Sequence, residues 1–98
     1  MKIEVIKNDD TITFKLEGRL DTTTSPDFES KINEEVTNIK TLILDLKNLK
    51  YISSSGLRVL LSAQKKMNKL GKMKLINVNE MVMEVFEMTG FSNILIIE

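Results

Sequence analysis

The sequence predicts an α/β domain: a small mixed β-sheet with flanking α-helices, in the order β-β-α-β-α-β-α-β. Three observations carry that prediction. Two segments near the N-terminus alternate apolar and polar residues on either side of a short polar turn. Three later segments repeat apolar residues at helical spacing. Short, nearly continuous apolar runs separate those helices. Beyond the opening hairpin, right-handed β-α-β crossovers make the sheet largely parallel. Amphipathic helices must then cover it on at least one face.

Each element follows in order. Lys2 to Lys7 places Ile3 and Val5 on one face of a strand. Asn8-Asp9-Asp10 is turn material, and Thr11 to Glu17 alternates again with Ile12, Phe14 and Leu16 on one face, which reads as a hairpin. Gly18-Arg19-Leu20-Asp21 leaves the strand. Thr22 to Pro26 then opens a helix, with Thr24 or Ser25 able to cap it and Pro26 tolerated in the first turn. Phe28, Ile32, Val36 and Ile39 share one face of that helix. Leu42-Ile43-Leu44-Asp45-Leu46 reads as a strand buried on both faces. Lys47 to Ile52 connects it to Ser53-Ser54-Ser55-Gly56 and a second helix. That helix turns Leu57, Leu60, Leu61 and Met67 inward and ends at Gly71. Lys72 to Val78 is a short strand. Asn79 caps a third helix, which buries Val82, Val85 and Phe86 and stops at Gly90. Ile94 to Ile97 is the last strand.

Composition bounds the function. A chain of 98 residues reads as one domain, residues 1–98, because domains usually run to about 100–200 residues. Its 14 basic and 14 acidic residues cancel, so no overall field draws it to nucleic acid or an anionic membrane. It has no Cys, which excludes a disulfide framework, a thiolate nucleophile and a cysteine-ligated zinc site. It has no His, which excludes a Ser-His-Asp triad and an imidazole base. Glu4 and Lys7 interrupt any signal-peptide core, and no apolar run approaches the ~20 residues of a membrane span. A cytoplasmic location is the expectation.

In open α/β sheets, functional residues gather past the carboxyl ends of the strands. Two segments qualify: Gly18-Arg19-Leu20-Asp21, which leads into the first helix, and Ile52-Ser53-Ser54-Ser55-Gly56-Leu57, which leads into the second. One serine suffices for capping, so three in a row exceed what a cap needs. Enzyme motifs fit poorly. Ser54 has no His, and Ile52 stands where G-x-S-x-G needs glycine. Ser62-Ala63-Gln64-Lys65 matches S-x-x-K only in the middle of an amphipathic helix. Gly71-Lys72 lacks the rest of a phosphate loop. Met81, Met83 and Met88 read as core filling and surface rather than a binding groove.

Taken in order, three motifs resemble the STAS domain, and more narrowly the bacterial anti-sigma factor antagonists. They are Gly18-x-Leu20-Asp21 after a hairpin, Leu42-Ile43-Leu44-Asp45-Leu46, and Tyr51-Ile52-Ser53-Ser54-Ser55-Gly56-Leu57-x-x-Leu60-Leu61. The ending Phe86-x-x-Thr89-Gly90-Phe91 fits as well. The resemblance implies the STAS fold and a protein that is not an enzyme and needs no cofactor. It implies binding to an anti-sigma factor, usually a GHKL-type serine kinase, with release of a sigma factor. It also implies phosphorylation of Ser54 by that kinase and reversal by a PP2C-type phosphatase. The partner-binding set it implies is Asp21, Thr24, Ser53, Ser54, Ser55, Gly56, Leu57 and Arg58, with no direct contact to nucleic acid or membrane. The family's usual Asp before the acceptor is Ser53 here, which leaves Ser53 and Ser55 as competing acceptors. It also leaves open a STAS scaffold or an accessory subunit of a lipid-transport ATPase, with no phosphoswitch.

Overall fold

A computed structural model describes all residues, 1–98. The elements run β1 (Lys2–Asn8), β2 (Thr11–Leu20), α1 (Ser25–Glu35), β3 (Thr41–Ile52), α2 (Ser54–Leu70), β4 (Lys72–Ile76), α3 (Glu80–Thr89), a 3-10 turn (Phe91–Asn93) and β5 (Ile96–Ile97). The order of elements is the one the sequence predicts. The strands lie β1-β2-β3-β4-β5 in one sheet. β1 pairs with β2 antiparallel, and every later pair is parallel.

That strand order fixes the layering. Each crossover steps to the next strand in the same direction, and right-handed crossovers then put all three helices on one face. Burial agrees: Ile12, Phe14, Leu16, Leu42, Leu44, Leu46, Met73 and Leu75 are buried, while Thr13, Ile43, Asp45 and Lys74 on the opposite face are half-buried. The expectation that Leu42 to Leu46 is buried on both faces is therefore corrected. Only the helix-covered face is closed. Phe14 anchors α1 to β2 by an edge-on contact with Phe28, ring centroids 6.2 Å apart.

β2 and β3 extend further than the alternation indicates. Residues 18–20 and 47–52 are strand rather than connection. The register shifts twice, between Lys15 and Glu17 and between Gly18 and Arg19, and each shift gives β3 one extra residue. The buried residues Leu46, Leu49 and Ile52 accordingly recur every third position, so the two-residue period is lost. Gly18 sits at φ +104°, a conformation that other residues rarely adopt.

The first helix ends at Glu35. Val36 and Ile39 are buried as the sequence predicts but lie past its end, where Asn38 turns the chain at φ +55°. Asn79 caps α3 by accepting from the Val82 N–H at 3.0 Å. The last strand is shorter than predicted, because the 3-10 turn occupies Phe91–Asn93 and leaves two residues to pair with β4.

Candidate functional site

β2 and β3 are parallel neighbours, so their carboxyl ends lie side by side. Leu20 is level with Ile52, and the Ser53 N–H donates to the Leu20 carbonyl at 2.9 Å. The loop from Asp21 to Thr24 and the serine run are thereby brought together at one edge of the domain, past the carboxyl ends of the two strands.

Asp21 organises the first loop. Its Oδ1 accepts from the Thr23 N–H at 3.0 Å, the Thr23 hydroxyl at 2.8 Å and the Thr24 N–H at 3.2 Å. These bonds, the Thr23 hydroxyl first, hold the carboxyl below the ordinary aspartate value by favouring its charged form. The Thr24 hydroxyl donates to the Arg19 carbonyl at 2.8 Å and accepts from the Asp21 N–H at 2.8 Å. The Ser25 hydroxyl donates to the Asp21 carbonyl at 2.6 Å and is buried. Neither Thr24 nor Ser25 caps α1 through its side chain, contrary to the sequence expectation. The Asp21 carboxylate takes the Thr23 and Thr24 N–H groups instead; the Thr24 hydroxyl ties the loop back to β2, and the Ser25 hydroxyl closes the loop on the Asp21 carbonyl.

The three serines have different surroundings. Ser53 is the N-cap of α2, in extended conformation, and its Oγ accepts from the Gly56 N–H at 3.3 Å. Ser54 is the first helical residue; it is exposed, and its hydroxyl is in no side-chain hydrogen bond. Ser55 is half-buried and lines a half-open polar groove of about 440 Å³ between α1 and α2. Ser25, Glu29 and Arg58 line the same groove. Gly56 and Leu57, which the family resemblance groups with the partner-binding residues, are buried and hold α2 against the sheet. Asp21, Thr24, Ser53, Ser55 and Arg58 stay at or near the surface.

Two further surface residues stand at this edge. Arg19 and Tyr51 are level across β2 and β3, and the guanidinium lies over the phenol ring, 4.2 Å from its centroid. Arg19 also pairs with Asp21, Nε to Oδ2 at 3.7 Å. Both lie inside the sequence motifs, where the local pattern assigns neither a role. The signal that could have found them is the strand register, which a single sequence does not print.

The model of the STAS domain family matches residues 2–98. The chain belongs to the STAS domain family. The anti-sigma F factor antagonist of Paenibacillus polymyxa is 32% identical over 98 residues, covering 97% of this chain and 84% of the relative. The crystal structure of an anti-sigma factor antagonist from Mycobacterium paratuberculosis matches with a TM-score of 0.89 at 21% identity, over 98% of this chain and 83% of that one. The Bacillus cell fate determinant SpoIIAA in its phosphorylated form matches with a TM-score of 0.77 at 20% identity, over 99% of this chain and 91% of that one. At such identities these structures speak for the STAS fold alone. No helix of the STAS domain described here is long and apolar enough to cross a membrane.

Proposed function

We propose that this STAS domain is a cytoplasmic anti-sigma factor antagonist, a binding protein and not an enzyme. It docks an anti-sigma factor of the GHKL-type serine kinase class through the edge formed by Asp21, Thr24 and the start of α2. Docking releases a sigma factor, and phosphorylation of Ser54 switches docking off. A PP2C-type phosphatase restores it. The relatives named as anti-sigma factor antagonists support the class of function.

One observation carries the choice of serine. Ser53 is engaged as a helix cap and Ser55 is half-buried in a groove, whereas Ser54 is exposed with an uncommitted hydroxyl. A kinase must bring that hydroxyl into its own site, and Ser54 needs no local bond broken to reach it.

The switch follows from charge. A phosphoryl group adds about −1.5 to −2 charge. At the first turn of α2 it is favourable by ~0.3–1 kcal/mol, so the modified protein stays folded. In a docked surface the same dianion must be desolvated, which costs several kcal/mol when it is unpaired. Each ~1.4 kcal/mol is tenfold in affinity. The test is to incubate the chain with its cognate kinase and ATP and to map the phosphate by mass spectrometry. Phosphate is expected on Ser54, with Ser54→Ala binding the kinase constitutively and Ser54→Asp binding weakly. Phosphate on Ser53 or Ser55 alone overturns the assignment. A complex that survives kinase and ATP unmodified assigns the chain to the scaffold class instead.

A further inference from the structure

Arg58 has no partner in this fold. The three ion pairs join Lys7 to Glu35, Arg19 to Asp21 and Lys74 to Glu98, and none includes it. It is exposed and is the one cationic residue lining the groove between α1 and α2. Glu29 faces the same groove from α1, at no ion-pair distance from the guanidinium. Asp21, the other carboxylate of this edge, is already paired with Arg19.

Arg58 follows Ser54 by four residues on α2. Residues at that spacing are neighbours on a helix surface, with Cβ atoms about 5–6 Å apart. A long helical side chain leans back over the preceding turn, toward the helix N-terminus. The uncommitted guanidinium of Arg58 is therefore within reach of the turn that carries Ser54 and Ser55.

Building on the Ser54 reading above, we infer that Arg58 is the intramolecular receiver of the Ser54 phosphoryl group. In the modified chain its guanidinium pairs with the phosphate oxygens across one helical turn. The planar fork of donors matches two of those oxygens, and a dianion outcompetes the single carboxylate of Glu29. Modification then does two things to the docking edge. It leaves the edge net negative, because one guanidinium offsets only part of a charge of about −1.5 to −2, and it withdraws the free cation from that edge.

The test needs no kinase. Phosphoserine is incorporated at position 54 of the full chain during synthesis, and its second ionisation is followed by phosphorus NMR. A paired guanidinium favours the dianion, so that ionisation falls at a lower pH. The wild-type chain is expected to titrate about a third of a unit below the Arg58→Gln chain, a roughly twofold change in the protonation equilibrium. Arg58→Lys should recover part of the difference, and 1 M salt should shrink it. Arg58 is exposed, so the Gln and Lys variants keep the fold, which far-UV circular dichroism checks. Superimposable titrations of wild type and Arg58→Gln overturn the pairing. Failure of any kinase to modify Ser54 would remove the switch but leave this titration standing.

Discussion

Gly56→Ala tests how α2 is held at the site. Gly56 lies in the first turn of that helix, against the ends of β2 and β3. A Cβ built there stands 2.8 Å from Leu20 Cγ, 2.9 Å from Ile52 Cγ1 and 3.0 Å from Leu20 Cδ2. Carbon atoms pack best at about 3.5–4.0 Å, so the new methyl overlaps both side chains by roughly half an ångström or more. Leu20 is 0% and Ile52 4% exposed, so neither has solvent to move into. Overpacking of this kind costs about 1–3 kcal/mol. The better helix propensity of Ala returns up to about 1 kcal/mol. The net expectation is a loss of about 1 kcal/mol, read as a lower urea midpoint with an unchanged slope. In a chain of this size each kcal/mol also lowers Tm by about 4–8 °C. Leu20→Ala opens the space that the methyl needs. The double variant should therefore be more stable than the two single losses imply, by at least ~0.5 kcal/mol. A Gly56→Ala chain as stable as wild type, or strictly additive losses, refutes the close-approach argument.

Two other perturbations follow from the structure. Gln64 is buried on α2; its Nε2 donates to Asn68 Oδ1 at 2.9 Å, but its Oε1 has no partner. Gln64→Leu removes an unsatisfied buried carbonyl at the expense of one hydrogen bond, so denaturant unfolding should show a gain of up to about 1 kcal/mol; a loss larger than that would show that the carbonyl is satisfied in solution. The Asp21 carboxyl, held below its ordinary 3.8 chiefly by the Thr23 hydroxyl, should titrate below that value by carbon NMR and move back toward it in Thr23→Val. Its folded pKa is depressed, so its stabilising contribution is fully present above the unfolded value and is lost as pH falls through the folded one. The stability gap between wild type and Asp21→Asn should accordingly close in that acid range, and a midpoint at or above 3.8 refutes the hydrogen-bond account.

Much of the fold was legible because local period and tertiary burial agree. Ile12, Phe14 and Leu16 alternate in the sequence and are buried in the sheet; Phe28 and Ile32 share a helical face and are buried beneath it. Legibility fails where tertiary register intervenes. The second half of β3 looked like a connection because the two register shifts space Leu46, Leu49 and Ile52 by three. The double-sided burial expected of Leu42 to Leu46 failed on topology: nothing in that run says that all three crossovers share a face. Gly71 was legible as a helix end but not for its reason. Its φ of 170° suits any residue, whereas a Cβ there would lie 1.9 Å from the Lys40 carbonyl oxygen. At the site, the excess of serines was visible. The part each one takes was not, because it depends on the backbone bond from Ser53 to Leu20.

The register shifts also account for where the site lies. Ile12 pairs with Leu42, an offset of 30 residues, whereas Leu20 pairs with Ile52, an offset of 32. Without the two extra residues in β3, Leu20 would stand level with Lys50, and the serines would project beyond the Asp21 loop. With them, Ser53 begins α2 beside that loop, and its N–H closes on the Leu20 carbonyl. The same irregular stretch offers the Leu49 carbonyl to Asn79 Nδ2 at 2.7 Å, while Asn79 Oδ1 caps α3. The bulged half of β3 thus holds the starts of two helices, and it also carries Tyr51 against Arg19 of β2. An edge assembled this way is tied to the strands beneath it by the bonds from Ser53 to Leu20, Thr24 to Arg19 and Asn79 to Leu49.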